Sequence, residues 1–413
     1  MAYAPRALEA TLRRAVRMFP AVLLTGPRQS GKTTLLRHLF GKTHAILSLE
    51  RPDVRARAVA DPVAFFADHP PPIVLDEIQL APALLHHIKE RIDAQRHPGQ
   101  WLLTGSQSLS LMHGVSQTLA GRVAVLELDP LSAGEAAGHA SQESIAAMLR
   151  RVFEAGGSRG RATPRKVPDL ADWMLRGGFP ELRLRRGVDR TLWLSSYVQT
   201  YLERDVRDLL RVGDLQAFGR FLGLVAARSG TILNMADLGR DAGVTGPTAK
   251  AWLSVLEASH LVFLLRPHFR NLGKRIVKSP KLYLTDPGIV TFLTGLHSSE
   301  AALRGPSAGA LMETVVVSEW VKLFRQRGER PPLTFYRSNT GDEVDLVIEH
   351  DGRTYGIEVK LTSTPTPAHA ASLAKWLAAT GPGARGVLAC AIDAPVALGP
   401  RIRAVPWSPD AMG

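Results

Sequence analysis

With 413 residues, 45% hydrophobic and 22% charged, the chain carries enough apolar material for about two to three packed domains and is not a disordered polymer. Its single cysteine, Cys390, excludes an intramolecular disulfide framework, and no apolar run approaches the roughly 20 residues that span a bilayer, so a cytoplasmic chain without membrane contact is expected. The formal net charge of +13 fits a polyanionic partner as well as it fits an arginine- and alanine-rich composition, so a DNA partner needs independent support.

Residues 1–20 place Leu8, Leu12, Val16 and Met18 near helical spacing, which predicts an amphipathic helix before the apolar run Ala21 to Leu24. There follows Gly26-Pro27-Arg28-Gln29-Ser30-Gly31-Lys32-Thr33, and then a helical pattern from Thr34 to Phe40. Strand, glycine loop and helix in this order make the G-x-x-x-x-G-K-[ST] match a phosphate-binding P-loop. Glycines let the backbone wrap tightly, and successive N–H groups then point at phosphates from a helix N-terminus. Lys32 can reach the β- and γ-phosphates, the Thr33 hydroxyl can hold Mg2+, and Gly26 through Thr34 form the expected ATP-contacting segment.

Further strands are predicted at Ala45–Leu49, Ile73–Glu77, Trp101–Ser106 and Val123–Leu128, with helices at 53–68 and 83–95 between them. Such alternation implies a parallel sheet covered on both faces. The strand ending in Asp76-Glu77 supplies the second half of a nucleotide site: Asp76 takes the magnesium and Glu77 polarises the attacking water. Ser106 is placed to sense the γ-phosphate. Arg122, after Gly121, is a candidate arginine finger to a neighbouring subunit, with a plain surface arginine as the equal alternative.

From Ala136 to Asp169 the strand rhythm is lost, and the basic, glycine-rich stretch at 155–168 reads as a linker. Gly177-Gly178-Phe179-Pro180-Glu181 reads as a turn between helices, followed by a long helix over 189–210. Between Thr231 and Pro287 the spacing predicts a winged helix-turn-helix: a first helix at 235–242, a turn at Gly243-Val244-Thr245, a second helix at 247–259, and two wing strands. Arg270, Lys274, Arg275, Lys278 and Lys281 crowd the wing. The second helix, with mainly Lys250 to offer a groove, is a poor base reader, so an oligomerisation role stands beside DNA binding.

The C-terminal part carries a different constellation. A helix over 311–324 contains Glu313, and strands Val344–Ile348 and Tyr355–Lys360 carry Asp345, Glu358 and Lys360. Period-two alternation puts Glu358 and Lys360 on one face. Carboxylates on paired strands make a hard-cation site, with Lys360 beside it to orient a water, and Glu313 could add a third ligand. The pattern Asp-x12-Glu-x-Lys resembles the PD-(D/E)XK nuclease superfamily, with a Glu358–Lys360 ion pair on a non-cutting scaffold as the alternative.

As a whole the chain resembles the AAA-type P-loop ATPases that carry the domain of unknown function 4143. The resemblance rests on Leu24–Thr33, Leu75-Asp76-Glu77-Ile78-Gln79, Leu103-Thr104-Gly105-Ser106, Leu119-Ala120-Gly121-Arg122, Gly177-Gly178-Phe179-Pro180, Tyr201-Leu202-Glu203-Arg204-Asp205 and the Glu343-Val344-Asp345 to Glu358-Val359-Lys360 unit. It implies an α/β fold with an AAA core over 1–135, a helical region over 136–225, a winged-helix-like region over 226–290 and a nuclease-like domain over 291–413. The expected activity is ATP hydrolysis with Mg2+, coupled to DNA binding, remodelling or processing in a homo-oligomer. The alternative is an ATP-dependent switch or scaffold that binds a protein partner.

Overall fold

The computed structural model describes residues 3–105, 115, 118–154, 165–201, 215–268, 279–338 and 340–412. They form two compact units, the first comprising Met1–Pro130, Ala258–His260 and Arg325–Glu329, the second the rest.

The first unit is built on five parallel strands: β1 (Ala21–Thr25), β2 (Ala45–Ser48), β3 (Ile73–Asp76), β4 (Trp101–Thr104) and β5 (Val123–Glu127), in the order β2-β3-β4-β1-β5. Because side chains alternate along a strand, each strand feeds two cores. Val22, Leu24, Val74 and Leu102 pack with Leu8, Leu12 and Ala15 of the N-terminal segment and with Leu35 and Leu36. Ala21, Leu23, Ile73, Leu75, Trp101 and Leu103 pack on the other face with Phe65, Phe66, Leu84, Leu85, Ile88 and Ile92. With both faces covered, the central strands read as unbroken apolar runs. Their C-terminal ends, Thr25, Asp76 and Thr104, therefore come out together at one edge of the sheet.

The expected single helix over 53–68 is two, Pro52–Ala60 and Pro62–Asp68. Pro62 has no N–H for a continuing ladder, and the Asp61 carboxylate caps the new helix by accepting from the Ala64 N–H at 2.9 Å. Within the predicted irregular stretch after Ala136, a helix spans Ile145–Phe153, capped by Ser144 and burying Ile145, Met148, Leu149, Val152 and Phe153. Residues 155–164 of the predicted linker lie outside the described residues, as do 202–210 of the predicted long helix.

In the second unit, helix Leu215–Ala227 leads to β6 (Thr231–Ile232), then helices Met235–Ala242 and Gly246–Ala258, then β7 (Val262–Pro267) and β8 (Lys281–Leu284). Helix Ala308–Arg325 precedes β9 (Leu333–Arg337), β10 (Glu343–His350) and β11 (Arg353–Val359), and helix Ala371–Thr380 precedes β12 (Arg385–Cys390), β13 (Val396–Gly399) and β14 (Ile402–Pro406). The two groups of strands, assigned from the sequence to a winged-helix-like region and a nuclease-like domain, form one mixed sheet of nine in the order β13-β14-β12-β11-β10-β9-β7-β8-β6. The joint is the parallel pair β7–β9, with Arg266 opposite Thr334 and Pro267 opposite Phe335, extended by the His268 N–H donating to the Phe335 carbonyl at 2.6 Å. β8 covers only one edge of β7, so the other was free for β9.

Gly177-Gly178 also has a specific place. The buried Asp286 carboxylate accepts from the Gly178 N–H at 2.7 Å and the Gly288 N–H at 2.9 Å. A Cβ on Gly177 would stand 1.8 Å from Asp286 Oδ1, and one on Gly178 would stand 2.2 Å from the Leu131 carbonyl oxygen. The turn is thus closed by steric necessity around one buried carboxylate.

Candidate active site

Residues Gly26 to Gly31 run from the end of β1 into the helix Lys32–Phe40. The loop depends on positive φ at Gly26 (139°), Gln29 (59°) and Gly31 (96°). At Gly26 the requirement is doubled, since a Cβ there would stand 2.2 Å from the Leu128 carbonyl oxygen. Pro27 and Ser30 are buried, Arg28 is half-buried, and Gln29 and Thr34 are exposed at the helix entrance. The buried Lys32 ammonium donates to the carbonyls of Gly26 and Pro27, both at 2.9 Å, so its charge rests inside the loop curve.

Asp76 is the hub. Its Oδ1 accepts from the Thr33 hydroxyl at 2.6 Å and from the Thr104 hydroxyl at 2.7 Å, and its Oδ2 accepts from the Ser48 hydroxyl at 3.4 Å. A carboxylate only 6% exposed is costly unless hydroxyls or a cation compensate it, and here hydroxyls from three elements do. Thr104 also accepts the Glu77 N–H at 3.0 Å, which holds Glu77 in the left-handed region at φ 60°, ψ 51°. For a non-glycine residue that conformation costs about 1–3 kcal/mol and is concentrated at functional sites. The Glu77 carboxylate is bonded in turn by Gln79 Nε2.

Nucleotide with magnesium fits this donor set. Ser30 Oγ is buried without a partner in the loop, the loop backbone is shaped by glycines, and the Thr33 hydroxyl lies against a carboxylate. Sequence reasoning missed three contributors. Thr104 and Ser48 sit at strand ends where a hydroxyl was visible but its orientation was not. Arg6, 4% exposed, donates to the Ser30 carbonyl at 2.9 Å and the Asp129 carbonyl at 2.6 Å, bracing the P-loop from a segment with no local motif.

Ser106 lies outside the described residues. Arg122 is bound within its own unit: its Nε donates to Asp93 Oδ1 at 2.6 Å and one terminal nitrogen donates to the Ala120 carbonyl at 3.1 Å.

The C-terminal constellation comes together in the second unit, with an addition. The Lys281 ammonium, its side chain 4% exposed, enters from β8 into the carboxylate group. It lies 2.6 Å from Glu313 Oε1 and 3.3 Å from Asp345 Oδ1, and pairs with Glu343. Tyr283 donates to the same Glu313 oxygen at 2.5 Å. Asp345 Oδ2 accepts the Val359 N–H at 2.9 Å, while Lys360 donates to Glu358 Oε1 at 2.7 Å. Burial followed by the Asp345 charge pushes Glu313 up to about 8 and Glu358 up to about 7. Burial alone would lower Lys281, but Glu313, Asp345 and Glu343 outweigh it and raise it above the ordinary lysine value.

Glu313, Asp345 and Glu358, expected as a hard-cation site, thus lie in one unit with a lysine among them. Three carboxylates, Glu313, Asp345 and Glu343, gather on the Lys281 ammonium, and Glu358 pairs with Lys360. Lys281 was read from the sequence as a phosphate-binding wing residue; its inward direction is set by the β7–β9 joint, which sequence could not show. Of the other predicted wing cations, Arg270, Lys274, Arg275 and Lys278 lie outside the described residues.

Comparison with known proteins places the chain. Residues 18–137 match an AAA domain, 167–300 a domain of unknown function (DUF8612) and 308–409 a domain of unknown function (DUF4143). An uncharacterized protein of Mycobacterium tuberculosis and one of Mycobacterium bovis are each 34% identical over 361 residues, covering 86% of this chain and 74% of theirs. A Walker-type ATPase of Pyrococcus abyssi is similar over 69% of this chain and 94% of its own, at 16% identity and a TM-score of 0.44. The fold and the AAA domain define a P-loop ATPase, which supports ATP binding and hydrolysis. The chain belongs to the family of AAA-type ATPases that carry DUF4143. No helix among the described residues is long and apolar enough to cross a membrane.

Proposed function

We propose that this protein hydrolyses ATP at Gly26–Thr34, Asp76 and Glu77 and couples turnover to the binding or remodelling of DNA. The observation that carries the reading is the hydrogen-bonded series Thr33–Asp76–Thr104–Glu77, which puts a hydroxyl, a carboxylate and a strained glutamate at the mouth of one glycine loop. In this reading the Lys32 ammonium leaves the loop carbonyls for the β- and γ-phosphates, and Thr33 and Asp76 hold magnesium. Bound magnesium supplies charge neutralisation on the transferring phosphoryl group. Glu77 orients the attacking water and accepts its proton. In a homo-oligomer, Arg122 would exchange Asp93 for a neighbouring subunit's nucleotide, and Ser106 would sense the γ-phosphate.

Two features support a polyanionic partner. The net charge is +13. In the second unit, Arg353, Arg385, Arg401 and Arg403 line one cavity of about 750 Å³, with Glu154 as the single acidic lining residue. Helix–strand–helix–turn–helix followed by β7 and β8 has the element order of a winged helix, and we read it as the second DNA-facing part. Neutralised phosphates release counterions, so binding of this kind weakens steeply with salt.

A second reading, an ATP-dependent switch or scaffold whose C-terminal sheet binds protein partners or neighbouring subunits without cutting, is favoured by Lys281 in the carboxylate pocket. ATP turnover measured with duplex, single-stranded and branched DNA at two salt concentrations separates the two. Stimulation that fades with salt supports DNA coupling. A rate indifferent to every DNA refutes it in favour of the scaffold.

A further inference from the structure

A divalent cation bound by carboxylates needs several oxygen atoms turned towards one point, at about 2.0–2.1 Å for magnesium. In the C-terminal pocket the point shared by Glu313 and Asp345 is taken, while Glu358 keeps one buried oxygen, Oε2, without a partner. Lys281 brings its ammonium to Glu313 Oε1 and Asp345 Oδ1 at 2.6 and 3.3 Å and also pairs with Glu343, while the Tyr283 hydroxyl occupies Glu313 Oε1 as well. The remaining Asp345 oxygen is held by the Val359 N–H. Lys281 and Tyr283 are two residues apart on β8, so strand alternation sends both to the same face. A metal ion bound to the same oxygens would lie against a like charge that cannot retreat into water, since the Lys281 side chain is 4% exposed.

We propose that the Lys281 ammonium is the resident cation of this carboxylate pocket, standing where a nuclease-like centre would hold a divalent metal, and that it ties β8 to helix Ala308–Arg325 and to β10. The pocket is then an internal ion-pair cluster joining the two halves of the nine-stranded sheet, and it cuts no phosphodiester. The cluster lies wholly within the second unit, so the inference does not rest on ATP hydrolysis at the P-loop.

Titration of the nucleotide-free, full-length protein with Mn2+, following the free-ion electron paramagnetic resonance signal, tests it. The proteins compared are wild type, Asp345→Asn, Lys281→Ala, Lys281→Met and the double variant Lys281→Ala/Asp345→Asn. Any ion at Thr33 and Asp76 is common to all and cancels. Wild type and Asp345→Asn should bind the same number of ions. Lys281→Ala should gain one ion per chain, and the double variant should lose it again. Should Lys281→Ala not fold, Lys281→Met keeps the apolar stem and carries the same expected gain. An ion held by wild type and lost in Asp345→Asn overturns the proposal, whatever the lysine variants do. A folded lysine variant that gains no ion overturns it too.

Discussion

Thr104→Val isolates the contact on which the proposed hydrolytic geometry depends. The hydroxyl is fully buried, donates to Asp76 Oδ1 at 2.7 Å and accepts the Glu77 N–H at 3.0 Å. Valine keeps the shape and removes both bonds. A bond to a charged group contributes about 1.5–3 kcal/mol and a neutral one about 1 kcal/mol, so the substitution removes about 2.5–4 kcal/mol of local restraint. Asp76 keeps Thr33 at 2.6 Å, whereas Glu77 loses the bond to its backbone N–H that restrains its left-handed conformation. If about half of the restraint is felt only in the transition state, kcat falls about ten- to thirtyfold. Nucleotide affinity, assigned in the proposed function to the loop and Lys32, is expected to change little. Steady-state turnover beside equilibrium binding of a fluorescent ATP analogue reads the two separately. An unchanged kcat, or a loss of affinity with kcat intact, would refute the role given to Thr104.

Gly177→Ala is expected to destabilise the second unit severely, because its Cβ would stand 1.8 Å from the buried Asp286 carboxylate at a φ of 63°; thermal unfolding followed by tryptophan fluorescence should show an early transition, while Gly223→Ala, with open space around it inside a helix, should cost far less. The carboxylate pocket also sets a pH dependence. Glu313 and Glu358 hold protons up to about 8 and about 7 in the folded chain, against an ordinary 4.5. Between those values the folded state binds more protons than the unfolded one, so stability falls as pH rises from about 5 to 8 and then levels. Lys281, raised above 10.5, adds stability that is fully present below that value and is lost only as pH climbs through its higher folded value. Melting curves across pH 5–9 check the slope, and Glu313→Gln should flatten its upper part.

The first unit was legible because its chemistry is local. Gly26 to Thr33 lie in one continuous turn, and apolar runs ending in Asp76-Glu77 and Thr104 show which strands reach the same edge. Asp61-Pro62 was equally visible as a break, yet the apolar pattern on either side of it reads as one helix. Arg6 was hidden because its partners, the Ser30 and Asp129 carbonyls, are backbone atoms that no residue pattern announces. In the second unit, sequence gave β8 and β10 separately, and alternation correctly grouped Glu358 with Lys360. It could not give the β7–β9 register, and that register decides whether Lys281 faces solvent on a wing or the carboxylates of Glu313 and Asp345.

ATP binding and turnover measured on the same preparations of wild type, Lys32→Ala and Glu77→Gln test the central claim most directly. The account predicts that Lys32→Ala loses both binding and hydrolysis, whereas Glu77→Gln retains binding and loses hydrolysis by about a hundredfold or more. Turnover that persists undiminished in both variants would place hydrolysis away from this P-loop and contradict it.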